Sequence, residues 1–199
     1  MSSFADTWRI LLKSTGMRAI FLMIFCTWLH LTTAAPYLEE YCWRDFEGIV
    51  PTDAFLAGVD AVGKQIYIGQ VLFEDKLEPG KIYKNDKNIY FEMGNKEIVL
   101  NENVKILCTV LPHQFKWVPT DKNNVSLLVE EILIRGGFEP SYYIYIGRVK
   151  TNSFVGVGKI VCSDSCLAMY TTDNGTAKNF DSFEVLTYSR TNYVNVLVE

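Results

Sequence analysis

Histidine is nearly missing from this sequence: His30 and His113 are the only two in 199 residues. That scarcity argues against an imidazole-built metal centre and removes the commonest general acid–base group. Long basic runs are absent too, and the net charge is −4, so nothing marks a nucleic-acid partner. There is no G-x-S-x-G elbow, H-E-x-x-H helix, phosphate loop or calcium-loop signature. Val155-Gly156-Val157-Gly158-Lys159 lacks the following Ser or Thr of a phosphate loop and leads into a strand pattern. Carboxylates are plentiful, Glu130-Glu131 among them, but sequence alone sets no pair at a glycosidase separation. The expectation is a protein without enzymatic activity, cofactor or metal.

What is present is apolar and aromatic. Apolar residues make up 49% of the chain, enough for a sizeable core, with 11 Tyr, 12 Phe and 4 Trp. Glycines are spread along the chain, as many short strands and turns require. The amino terminus stands apart. Ala19 to Leu31 is an apolar run preceded by Lys13 and Arg18 and followed by Thr32-Thr33-Ala34-Ala35-Pro36. This is the layout of a secretory signal, and the run is short for a spanning helix of about 20 residues. Residues 1–35 therefore read as a signal peptide, with Met17 a tidier start than Met1. The mature chain is expected to be secreted and extracellular, without a stable membrane anchor.

Removing that segment leaves Cys42, Cys108, Cys162 and Cys166. Four cysteines in a secreted chain point to two disulfides, with three connectivities open. Cys162 and Cys166 flank Ser163-Asp164-Ser165, which reads as a hairpin loop and suits a cross-strand bridge; Cys42 would then pair with Cys108. Two sequons, Asn124-Val125-Ser126 and Asn174-Gly175-Thr176, lie in polar, turn-like segments and become candidate glycosylation sites in a secreted chain.

The chain also repeats itself. Val50-Pro51-Thr52-Asp53, Ile66 to Val71 and Gly80-Lys81-Ile82 are echoed by Val118-Pro119-Thr120-Asp121, Ile144 to Val149 and Gly158-Lys159-Ile160. Gly69 to Gly80 and Gly147 to Gly158 are both eleven residues. Val104 to Leu107 echoes Phe183 to Leu186. The copies differ by about ten residues between Pro51–Tyr67 and Pro119–Tyr145, placed as a loop insertion near residues 123–132. Leu127 to Ile134 within it reads as a short helix or a strand. Strand patterns cover Ile66 to Phe73, Asn88 to Met93, Val104 to Val110, Tyr142 to Val149, Lys159 to Cys162, Leu167 to Thr171, Phe183 to Tyr188 and Tyr193 to Val198. Glu78-Pro79-Gly80 and Asp173-Asn174-Gly175 read as turns. Each copy alone, near 70 residues, would be marginally stable. The expected fold is all-β: two pseudo-symmetric tandem repeats of antiparallel strands, residues 36–112 and 113–199, packed as one domain.

Trp43, Gly48-Ile49-Val50-Pro51, Ala57-Gly58-Val59-Asp60, Tyr67-Ile68-Gly69, Pro79-Gly80-Lys81 and Gly94-Asn95-Lys96-Glu97 together resemble the DM-nine repeat family. The resemblance implies a tandem-repeat β fold. It also implies calcium-independent mannose binding in the manner of lectin-like members, with a role in innate immune recognition. Related repeats occur in natterin-like proteins. The resemblance puts the sugar on Asp60 and Lys81, and in the second copy on Glu139 and Lys159. Glu139 is one methylene longer than an Asp, and Glu97 has no evident counterpart there.

The chemistry suits a sugar. A carboxylate accepts from vicinal hydroxyls and an ammonium donates to neighbouring oxygens, the stronger class of hydrogen bond. Tyr67 or Tyr83 could add an aromatic face, although Tyr67 and Tyr145 also fit strand cores. Two sites per chain would add avidity. Plainer roles exist for each residue. Asp60 fits a turn bonding its own backbone, Lys81 a solvated strand start, Lys96 and Glu97 a surface ion pair, and His113 an exposed loop. The expected partners are mannose-containing glycans, with no nucleic acid, and with homo-oligomerisation left open. The alternative is an extracellular structural or protein-interaction module without a sugar site.

Overall fold

The computed structural model describes residues 41–189. The signal segment, Cys26, His30 and the strand expected over 193–198 lie outside the described residues. Fifteen strands run through the rest: β1 (Tyr41–Asp45), β2 (Leu56–Val59), β3 (Gln65–Phe73), β4 (Lys76–Tyr83), β5 (Ile89–Met93), β6 (Lys96–Leu100), β7 (Val104–Thr109), β8 (Phe115–Asp121), β9 (Ile132–Leu133), β10 (Arg135–Glu139), β11 (Tyr142–Lys150), β12 (Val155–Cys162), β13 (Cys166–Asp173), β14 (Thr176–Phe180) and β15 (Ser182–Tyr188). Short 3-10 turns cover Pro112–Gln114 and Val125–Leu127. The fold is all-β. Among the described residues no helix is long and apolar enough to cross a membrane.

Register shows the duplication. Gly69 stands opposite Gly80 and Gly147 opposite Gly158; Lys81 stands opposite Ile68 and Lys159 opposite Ile146. On this register β1 to β7 correspond to β8 and β10 to β15, with β9 added. The Val-Pro-Thr-Asp echo does not survive it. Val118 to Asp121 lie in β8, paired with β15, whereas Val50 to Asp53 follow β1 in a turn. The structural counterparts are Trp43 and Trp117, opposite Leu107 and Leu186. From Trp43 to Tyr67 is 24 residues and from Trp117 to Tyr145 is 28, so the ten-residue insertion shrinks to four. Most of the apparent insertion came from matching a turn to a strand.

Alternation along the strands builds three apolar clusters. Tyr67, Val71, Ile82, Ile89, Phe91 and Ile106 fill the first repeat. Val149, Ile160, Met169, Phe183 and Val185 fill the second. Ile66, Ile68, Leu107, Ile146, Val157 and Leu186, from both copies, fill a third between them. Successive side chains of one strand point to opposite faces. Each repeat therefore buries one face in its own cluster and the other against its twin, as a marginal half-domain must.

The two copies also share strand pairing. β4 passes through β5, β6, β14, β13, β12, β11 and β10 back to β4, a closed circuit sealed by Thr176 opposite Lys96 and Phe138 opposite Leu77. Glu78-Pro79-Gly80, expected as a turn, lies inside β4. The turn is Glu74-Asp75, closed by Phe73 opposite Lys76, with Glu74 at φ 53°. Pro79 is tolerated because β4 changes neighbour around it: Leu77 pairs with β10 and Lys81 with β5. The ambiguous 127–134 stretch resolves into the end of a 3-10 turn and the two-residue β9.

Cys162 and Cys166 stand opposite each other and form a disulfide. Cys42 and Cys108 also stand opposite each other, in β1 and β7, yet both are free thiols, which corrects the expected second bridge. Beside them Arg44 donates to Asp53 from Nη1 at 3.0 Å and from Nη2 at 2.6 Å. Burial pushes the Cys108 thiol up to about 11, with the Asp53 charge adding to it, so the reactive thiolate is scarce.

Candidate functional site

Gly80 and Gly158 precede the two lysines for a packing reason. A Cβ at Gly80 would press into the carbonyl oxygen of Tyr90, and one at Gly158 into that of Tyr170. Glycine lets β5 and β13 lie tight against β4 and β12. The next residue in each copy, Lys81 or Lys159, then faces the seam between the repeats. Two more polar side chains tie that seam. Gln70 Nε2 donates to Gly136 O at 2.6 Å, and its counterpart Arg148 donates from Nη1 to Ala57 O at 2.5 Å.

Around Lys81 the seam opens. Asp60, Lys64, Lys81, Tyr83, Tyr90, Glu97 and Asn174 line a depression of about 290 Å³. A second of about 200 Å³ adjoins it and shares Asp60, Tyr83 and Asn174. Asp60 follows β2. Its Oδ1 accepts the backbone N–H of Val62 at 3.0 Å and of Lys64 at 2.7 Å, so the turn role holds; Oδ2 makes neither bond. Lys81 is not the solvated strand-start residue: it is 1% exposed, at the wall of the depression, and donates from Nζ to the carbonyl of Thr172. Burial holds its ammonium below the usual lysine range, against the opposing pull of Glu97 and Asp173. The Tyr83 ring lies 5.5 Å from Lys81 Nζ and 4.4 Å from Lys64 Nζ. Burial, then the charges of Asp60, Glu97 and Asp173, push the Tyr83 phenol up to about 12. Tyr83 therefore stays a neutral donor. Its ring meets Tyr90 edge-on at 5.6 Å, giving the depression aromatic walls.

The equivalent place in the second copy is filled by the protein itself. Lys159 Nζ lies 2.8 Å from Glu139, 3.0 Å from Glu78 and 3.6 Å from Glu92. Lys159 is 5% exposed and Glu78 fully buried. Neither Lys159 nor Glu139 lines the two depressions beside Lys81 or the third, of about 110 Å³, near the disulfide. The longer Glu139 reaches its lysine directly. Glu78 and Glu92 correspond by register to Gly156 and Thr172, so Lys81 meets neutral positions where Lys159 meets carboxylates. Burial pushes the Glu78 carboxyl up to about 7 despite Lys159, and the Glu139 charge adds to the rise. Its Oε1 has no hydrogen-bond partner. The structure thus brings Asp60 and Lys81 together at an opening, and brings Glu139 and Lys159 together in a buried ion cluster.

Other expectations sort the same way. Tyr67 is buried in the first repeat's cluster, so Tyr83 supplies the aromatic face. Tyr145 packs against the second cluster. His113 is exposed. Glu97 is no simple surface ion pair. Its Oε1 accepts the Gly175 N–H of the other repeat at 2.9 Å, and it lines the depression. Lys64, Tyr90 and Asn174 are lining residues that sequence reasoning missed. The Asx turn of Asp60 was a usable signal for Lys64, four residues on; the contribution of Asn174 crosses between repeats and had none.

A two-copy β unit with a polar, aromatic-walled opening at its seam has the form of a lectin-like or protein-interaction module. The chain carries a DM9 repeat: residues 35–100 match that family's model. The matched stretch holds Asp60 and Lys81. No curated protein matches the sequence. Among solved structures, the nematode sperm cell motility protein MFP2B shares the fold, with a TM-score of 0.55 at 9% identity. That likeness covers 80% of this chain and 48% of that one, so the chain spans about half the length of MFP2B.

Proposed function

We propose that the chain is a secreted, calcium-independent carbohydrate-binding protein for mannose-type glycans, with one site per chain and no turnover. The observation that carries this reading is the convergence of Asp60, Lys81, Lys64, Tyr83 and Glu97 on one open polar depression. Asp60 Oδ2 and Glu97 accept from sugar hydroxyls, the lysines donate to sugar oxygens, and Tyr83 offers an apolar face to the ring's C–H edge. Half-buried charged groups make the stronger hydrogen bonds, but a single small sugar offers few atoms, so affinity per site is modest. With Lys159 committed to its carboxylates, avidity comes from self-association rather than from two sites per chain. The role that the family resemblance carries is recognition of mannose-rich surfaces in innate immunity.

The test is mannan and glycan-array binding of the chain produced without glycans, with and without chelator. Binding insensitive to chelator and lost in both Asp60→Asn and Lys81→Met supports the reading. Asn keeps an oxygen for the turn, so Asp60→Asn separates lost recognition from lost folding. Retained binding in both variants overturns the assignment. The likeness to a motility protein supports a second reading, an extracellular protein-interaction module. Its mark is a protein partner bound equally well by Asp60→Asn, with silence across all glycans.

A further inference from the structure

Asn174-Gly175-Thr176 is both a glycosylation sequon and part of the rim of the Lys81 depression. It forms the tip of the β13–β14 hairpin, where Asp173 opposite Thr176 closes a two-residue turn. Asn174 and Gly175 take φ 49° and 81°, the left-handed pair that an Asn-Gly hairpin turn demands. All three sequon residues are exposed. Asn174 lines the 290 Å³ depression and also the adjoining 200 Å³ one. The tip is held in place. Glu97, from the first repeat, binds the Gly175 N–H at 2.9 Å, and Thr176 pairs with Lys96. A group attached at Asn174 therefore starts at the edge of the opening and stays there.

We propose that an N-linked glycan on Asn174 lies across the Asp60–Lys81 depression and gates it, so that the chain's own glycan competes with external sugars. This rests on the sugar-binding reading above. In the attachment step, Asn174 Nδ2 bonds to the anomeric carbon of a lipid-linked oligosaccharide diphosphate. The anomeric C–O bond to the diphosphate breaks, and the amide proton leaves with the diphosphate. A sugar tethered this closely has an effective concentration in the millimolar range. That is enough to compete at a weak single-sugar site, and the glycan's bulk excludes larger ligands besides.

The second sequon supplies a control. Asn124 Nδ2 donates to Asp121 Oδ2 at 2.7 Å, and Asn124 lines neither of these depressions. The full chain is secreted from eukaryotic cells, and occupancy at Asn174 is read by mass spectrometry. Mannan binding is then compared among wild type, endoglycosidase-trimmed wild type, Thr176→Ala and Ser126→Ala. Thr176→Ala abolishes the sequon and keeps Asn174 itself. The gate predicts an occupied Asn174, about tenfold tighter binding in Thr176→Ala and in trimmed protein, and no change in Ser126→Ala. An empty Asn174, or equal binding with and without its glycan, overturns the gate and leaves the sugar site standing. Loss of binding in every form, the unglycosylated ones included, overturns the sugar reading and the gate with it.

Discussion

Lys81 and Lys159 hold the same place in two copies of one unit, behind the same glycine and opposite equivalent isoleucines, yet their surroundings differ completely. Lys81 meets a backbone carbonyl and an opening; Lys159 meets three carboxylates. The residues that make the difference are not on the lysines' own strands. Two lie in the other repeat, where Glu78 and Glu92 stand at positions that Gly156 and Thr172 fill for Lys81, and the third is Glu139, the longer counterpart of Asp60. A duplicated unit can thus keep its fold in both halves while one half surrenders its site to internal charge pairing.

The largest effect expected from breaking this comparison is at Lys159. Lys159→Met strands buried carboxylates and should cost about 3–5 kcal/mol in urea unfolding. Lys81→Met, which strands only a carbonyl, should cost no more than about 1–3 kcal/mol. Equal costs would mean that the two environments do not differ energetically. Gly80→Ala comes next, about 1–3 kcal/mol, because its Cβ meets backbone rather than a yielding side chain.

The pH dependence follows from Glu78. Its folded-state carboxyl, pushed up to about 7, binds a proton more tightly than in the unfolded chain. The stability it contributes is full below about pH 4.5 and is lost as pH rises through 7, on the order of 3 kcal/mol, the Lys159 attraction included. Thermal unfolding should show a higher Tm at pH 5 than at pH 8, and Glu78→Gln should flatten that difference. A Tm that rises over this interval in wild type, or a slope unchanged in Glu78→Gln, contradicts the assignment. The smallest effect concerns stability at the open site. Asp60→Asn retains the turn and should shift unfolding by less than about 0.5 kcal/mol while removing sugar binding.

Much of the fold was legible along the chain. Gly69, Gly80, Gly147 and Gly158 recur at fixed spacing because a Cβ at each would collide with β4 and β5 in the first copy or β12 and β13 in the second, and spacing is visible without coordinates. The Asp60–Glu139 and Lys81–Lys159 correspondences hold in register for the same reason. The Val-Pro-Thr-Asp echo misled because identical letters fell on a turn in one copy and a strand in the other. Pro79 read as a turn because the change of neighbour along β4 is a tertiary fact. The closing of the second site was illegible for a similar reason. Glu78 and Glu92 sit 81 and 67 residues from Lys159, and only the inter-repeat packing brings them there. Asn174 reached the open site by the same route.

The central claim is a single sugar site at Asp60 and Lys81. Calorimetric titration of the chain, produced without glycans, with a mannose oligosaccharide tests it most directly. The account predicts one site per chain in wild type and none in Asp60→Asn or Lys81→Met. Two sites per chain, or one that persists in both variants, would contradict it.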